Sequence, residues 1–187
     1  MKRFLNVTFI CLVTSLFIVP VFAVSNTTGI AGDVRLKDKY PPSWYQILSA
    51  DKRFVLVMND EAVLDKETGL VWERSPGTTK TDWHTAMDVL VNKIIGGRKG
   101  WRLPTYEELA SLVDPSQQNP ALPLGHPFLT VQYSNTDYYW SATTLYRATD
   151  NARGVEFKQG AIIYGAKYNT QANGLTWCVR GGYGYNN

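Results

Sequence analysis

An α+β domain is what this sequence predicts, and three observations predict it. Two segments in the first half carry apolar residues at helical spacing between recognisable caps. The second half holds short β-prone runs separated by turn residues. Between them, Ser116 to Thr130 follows Pro115 and contains Pro120, Pro123 and Pro127, too proline-rich for a helix or a central strand. With 187 residues, 44% hydrophobic and 13% aromatic, the chain can bury one core and falls outside the compositions of disordered and fibrous proteins.

Lys2 and Arg3 precede an uncharged apolar run, Phe4 to Ala23, interrupted by Asn6, Ser15 and Pro20 and ending in Val21-Phe22-Ala23. This pattern predicts a secretory signal peptide at 1–23 rather than a membrane anchor, hence a protein exported to the periplasm or medium with no span left after cleavage. Cleavage leaves 17 basic against 16 acidic groups, a net of +1, so nucleic acid is not an expected partner. It also removes Cys11 and leaves Cys178 alone, which excludes an internal disulfide or a CxxC metal site. Flanked by Trp177 and Val179, Cys178 is expected to be buried. Residues 24–43 read as an extended polar leader ending in Pro41-Pro42, residues 44–182 as one domain, and 183–187 as a glycine-rich flexible tail.

Phe54 to Met58, the turn Asn59-Asp60, Ala62 to Leu64, the turn Asp65 to Gly69 and Leu70 to Trp72 predict strands joined as a hairpin. Trp83, Ala86, Met87, Leu90, Val91 and Ile94 form one helical stripe, capped by Thr81 or Asp82 and closed by Gly96-Gly97. A second helix follows Pro104, with Thr105 and Glu108 as a capping box and Tyr106, Leu109, Leu112 and Val113 facing one way. Tyr138 to Ala142, Gly154 to Phe157, Ala161 to Tyr164 and Thr176 to Val179 are the late strands, with Asp150-Asn151 and Gln159-Gly160 as turns.

Four motifs then line up in order: Leu64 to Trp72 (LDKETGLVW), Gly100 to Thr105 (GWRLPT) with Glu108-Leu109, Tyr139 to Thr143 (YWSAT) and Cys178 to Gly182 (CVRGG). They resemble the Lcl C-terminal domain family (DUF1566), named for the Legionella collagen-like adhesin. The resemblance implies a C-type-lectin-like fold, two helices flanking a small twisted antiparallel sheet with long loops, and a kinship with the formylglycine-generating enzymes. Trp72, Trp101, Arg102, Pro104, Thr105, Glu108, Trp140, Cys178 and Arg180 are the motif residues, read as structural. Many relatives carry a cysteine near the positions of Met87 and Val89, and the disulfide it would make to Cys178 cannot form here.

Pro104 pushes Leu103 out of the α region and so orients the chain entering the second helix, while Trp101 and Leu103 bury and Arg102 seeks a carboxylate or strand carbonyls. Glu107 and Glu108 project about 100° apart on a helix and cannot serve one bond together. His84 and His126 show no metal-ligand spacing. Calcium is the metal that a lectin-like fold keeps open, yet Gln118-Asn119-Pro120 only echoes the sugar-binding loop signatures, so no cofactor is expected. No nucleophile elbow is present, and one cysteine cannot supply a thiol pair.

What remains is a surface. Tyr146, Arg147, Arg153, Lys158, Tyr164, Lys167 and Tyr168 predict a ligand-binding patch in the loops of residues 145–170, suited to anionic polysaccharide or another cell-surface polymer. The expected function is a non-catalytic, adhesin-like binding module. The alternatives are a secreted enzyme of unknown type on the related scaffold, or a structural envelope component.

Overall fold

The structure, a computed structural model, describes residues 48–168 and 174–181; the expected signal, leader and tail lie outside the described residues. Within them the chain runs α1 (Ala50–Arg53), β1 (Phe54–Val57), β2 (Ala62–Asp65), β3 (Leu70–Glu73), α2 (Trp83–Val91), α3 (Tyr106–Ser111), β4 (Tyr139–Thr144), β5 (Asn151–Val155), β6 (Ile162–Ala166) and β7 (Val179–Arg180). The strands form two antiparallel sheets, β1-β2-β3-β7 and β4-β5-β6. A single sheet was expected. Two form because β7 crosses back to β3, and the chain just before it meets β4 only through an isolated bridge between Tyr139 and Leu175.

Local chemistry explains most elements. Met58, Asn59 and Asp60 all take positive φ in the first turn, where Asn and Asp are tolerated. Asp65 opens the second turn, accepting from Glu67 N at 3.0 Å and Thr68 Oγ1 at 2.9 Å, before Gly69 supplies φ 71°. Asp82, not Thr81, caps α2, accepting from His84 N and Thr85 N, both at 3.0 Å. The Thr105–Glu108 capping box opens α3 as the residues dictate.

Several expectations need correction. The stripe on α2 is narrower than its periodicity implies: Ala86 and Leu90 bury, whereas Met87, Val91 and Ile94 are 37%, 72% and 58% exposed. The helix ends at Val91, and a reciprocal pair of backbone bonds between Ile95 and Arg98 turns Ile95 inward instead of Ile94. Tyr106 faces outward from α3, not with Leu109 into the core. Asn151, expected in a turn, starts β5, β6 reaches Ala166, and of the last run only Val179 joins a ladder, which continues to Arg180. A third helical turn, α1, also precedes β1.

The core has two parts. One gathers Phe54, Trp72, Phe128, Tyr139 and Phe157 with Trp177, whose ring lies 5.0 Å from Phe128, 5.2 Å from Tyr139, 5.3 Å from Phe157 and 5.8 Å from Trp72. The other packs Ala86, Leu90 and Ile95 on Ala62, Trp101, Leu103, Trp140, Ala152 and Cys178. Gly165 and Gly174 lie beneath the rings of Tyr138 and Trp140. A Cβ on Gly174 would stand 2.6 Å from the Tyr138 ring, so neither site admits a larger residue without displacement.

One buried charge pair ties α1 to this frame. Arg53, fully enclosed, donates from Nε and Nη2 to Asp65 Oδ1 and Oδ2 at 2.8 and 2.6 Å, and from Nη2 to Ser111 O. Asp65→Ala leaves the buried guanidinium with Ser111 O and Glu67, 3.4 Å away, removes two turn bonds and is expected to cost about 3–5 kcal/mol in urea denaturation, of which Arg53→Met with Asp65→Leu recovers only the part owed to the charge pair.

Candidate binding surface

The motif residues build the scaffold. Trp72, Trp140 and Cys178 are fully enclosed, and Trp101 and Pro104 are buried. Trp101 Nε1 donates to Arg98 O at 2.8 Å. Arg102 pairs both with a carboxylate and with carbonyls: Nη1 and Nη2 donate to the two Glu108 oxygens at 2.7 Å, and Nη2 also reaches Gly181 O at 2.9 Å. The same Glu108 closes the capping box on Thr105 N, so one carboxylate aligns α3 with the C-terminal strand. Arg180 lies opposite Val71 in the first sheet. Cys178 is free and buried, donating from Sγ to Glu73 Oε2 at 3.1 Å, while Glu73 Oε1 takes Lys93 Nζ at 2.6 Å. Burial, reinforced by the Glu73 charge, pushes the thiol well above its ordinary pKa and keeps it protonated.

The predicted patch falls on the second sheet, but its seven residues do not converge. In an antiparallel meander successive turns lie at opposite ends. Arg147 is in the β4–β5 turn and Lys158 in the β5–β6 turn, separated by the length of β5, about 17 Å. Lys158 Nζ meets Asn135 Oδ1, and its backbone N–H donates to Glu156 Oε2 at 2.7 Å. Pleat alternation divides the rest. Arg153 and Tyr164 are cross-strand partners on the face shared with Val155 and Ile162, which pack into the Trp177 core. Lys167 and Tyr168 instead lie against α2, which packs with Trp140 and Ala152 on the other face.

Each cation meets an aromatic ring or an oxygen. The Arg153 guanidinium lies 4.8 Å above the Tyr106 ring. Arg147, at φ 66°, lies 5.2 Å over the exposed Tyr146 ring. Lys167 Nζ is 4.6 Å from the Trp83 ring and 2.8 Å from Thr144 Oγ1. Tyr168 stacks on His84 at 4.1 Å. None of the four cations forms an ion pair among the described residues. Tyr146, Tyr164 and Tyr168 are open to solvent, unlike Tyr139, Trp140 and Trp177 in the core.

Sequence reasoning missed Tyr106, Trp83 and Thr144 as neighbours of these cations, and His84 as the ring stacked on Tyr168. Tyr106 was within reach, since the residue after an N-cap seldom points into a core, but the Trp83–Lys167 contact has no local signal. His126 stands apart, stacked on Phe128 at 5.9 Å, its pKa lowered by burial. Tyr138 is raised to about 12 by burial. Among the described residues no three His, Cys, Asp or Glu side chains gather as metal ligands would.

Thr105→Ala removes the Glu108 N–H acceptor and is expected to lower stability by about 1 kcal/mol in a urea melt, and Trp101→Ala by roughly 3–5 kcal/mol, with ligand binding per folded molecule unchanged in both. A stable Trp101→Ala protein with lost binding contradicts the structural role.

No curated protein matches the chain. The Lcl C-terminal domain model matches residues 61–180, the span from β2 to β7 that contains three of the four motifs whole, Cys178 to Arg180 of the fourth and every strand but β1, and the chain belongs to the Lcl C-terminal domain family.

Proposed function

We propose that this protein is an exported, non-catalytic binding module with a C-type-lectin-like variant of the α+β fold, holding acidic or sulfated surface polysaccharide in the manner of an adhesin. The observation that carries this reading is the second sheet's set of cations without ion-pair partners among the described residues, three of them set against aromatic rings. Aromatic rings offer a face to a sugar, and a free guanidinium or ammonium attracts its acidic groups. Membership of the Lcl C-terminal domain family favours the same role. Among the described residues no helix is long and apolar enough to cross a membrane. The protonated, enclosed Cys178 weighs against thiol chemistry.

Binding to an immobilised anionic polysaccharide is expected to weaken steeply between low and physiological salt, as screening shortens to about 8 Å. Arg147→Ser, Arg153→Ser and Lys167→Ser combined should abolish it with the melt shifted by less than about 0.5 kcal/mol, and Lys158→Ser alone should change it little. EDTA should have no effect. Binding that ignores salt, or requires calcium, contradicts the proposal.

A further inference from the structure

We propose that Arg153 is the ligand-reading residue of this surface and that it takes a planar carboxylate, of the kind a uronic acid carries, in preference to a sulfate ester; this rests on the binding role proposed above. The guanidinium carbon lies 4.8 Å from the centroid of the Tyr106 ring, and the group forms no ion pair among the described residues. The ring backs its fork of N–H donors on one side, and no oxygen among the described residues takes them. The cross-strand neighbour Tyr164, 67% exposed on the same pleat face, offers a flat ring beside it on which a sugar can lie.

A tetrahedral oxyanion gathers donors from several directions, commonly backbone amides and a second cation. Those donors are spent here. Tyr106 N–H goes to Thr143 Oγ1 at 3.2 Å, Thr105 N–H to Glu108 Oε2 and Glu108 N–H to Thr105 Oγ1. The β5 backbone pairs with β6 along its length, and where its register with β4 breaks, Arg153 O takes Ser141 Oγ at 2.7 Å. The nearest cations in sequence are engaged elsewhere, with Lys158 beyond the far end of β5, Arg147 over the Tyr146 ring in the β4–β5 turn and Lys167 on Trp83 across the sheet.

The test uses the purified protein at physiological salt against immobilised polygalacturonate, its methyl ester and dextran sulfate. Polygalacturonate is expected to bind and its methyl ester, with the same backbone and no charge, to lose at least about tenfold. Arg153→Lys, which keeps the charge and discards the fork, should lose at least about tenfold on polygalacturonate with an unchanged melt. Tighter, Arg153-dependent retention of dextran sulfate, or equal binding of the methyl ester, overturns the carboxylate assignment while leaving the binding role in place. Failure to bind either polyanion overturns both. The ester comparison needs no variant and stands even if Arg153→Lys folds poorly.

Discussion

Residues 174–181 are the constraint on which the two sheets depend. Leu175 to Val179 are buried without a break, so every peptide group there must find a partner inside the protein. The partners come from both halves. Gly174 O takes Thr81 N–H, Leu175 exchanges bonds with Tyr138 and Trp140, and Thr176 O takes Gly77 N–H. Cys178 O then takes Glu73 N–H, and Val179 exchanges bonds with Arg102. Within a few residues the chain passes from the edge of one sheet to the edge of the other. An orphaned buried amide costs about 1–3 kcal/mol, so neither sheet can loosen this segment without penalty to the other.

The family motifs acquire physical meaning along that seam. Trp177 stands among four aromatic rings and donates from Nε1 to Glu73 O at 2.9 Å. Cys178 Sγ donates a hydrogen bond to the same residue's carboxylate, which also pairs with Lys93. Arg102 closes the far end by joining Gly181 O to the Glu108 capping box. These residues attract catalytic readings because they are polar and adjacent to tryptophans. Their hydrogen bonds are consumed by the scaffold, which leaves recognition to side chains outside it.

Features with a local cause were legible. The capping box, the Asp65–Gly69 turn and the burial of Cys178 between apolar neighbours follow from short-range chemistry, and the structure realises all three. Features decided by tertiary pairing were not. The single turn of α1 persists because Arg53 meets Asp65 beyond the next strand. Periodicity located α2's inner face through Ala86 and Leu90 but not its width, because width depends on how far the helix lies from the sheet. The candidate patch was read as one surface from its clustering in sequence. Strand parity and turn position, which divide it, require strand boundaries to within one residue, and the start of β5 was missed.

Native-state hydrogen exchange at three amides tests the seam most directly. Glu73 N–H belongs to the first sheet, Trp140 N–H to the second and Arg102 N–H to the link between them, and each donates to a carbonyl in residues 175–179. If this segment couples the sheets, all three exchange only through global opening, with one shared free energy that follows the urea dependence of the whole domain. Trp140 exchanging through a local opening while Glu73 stays protected, or the reverse, would show two independently stable sheets and contradict the account.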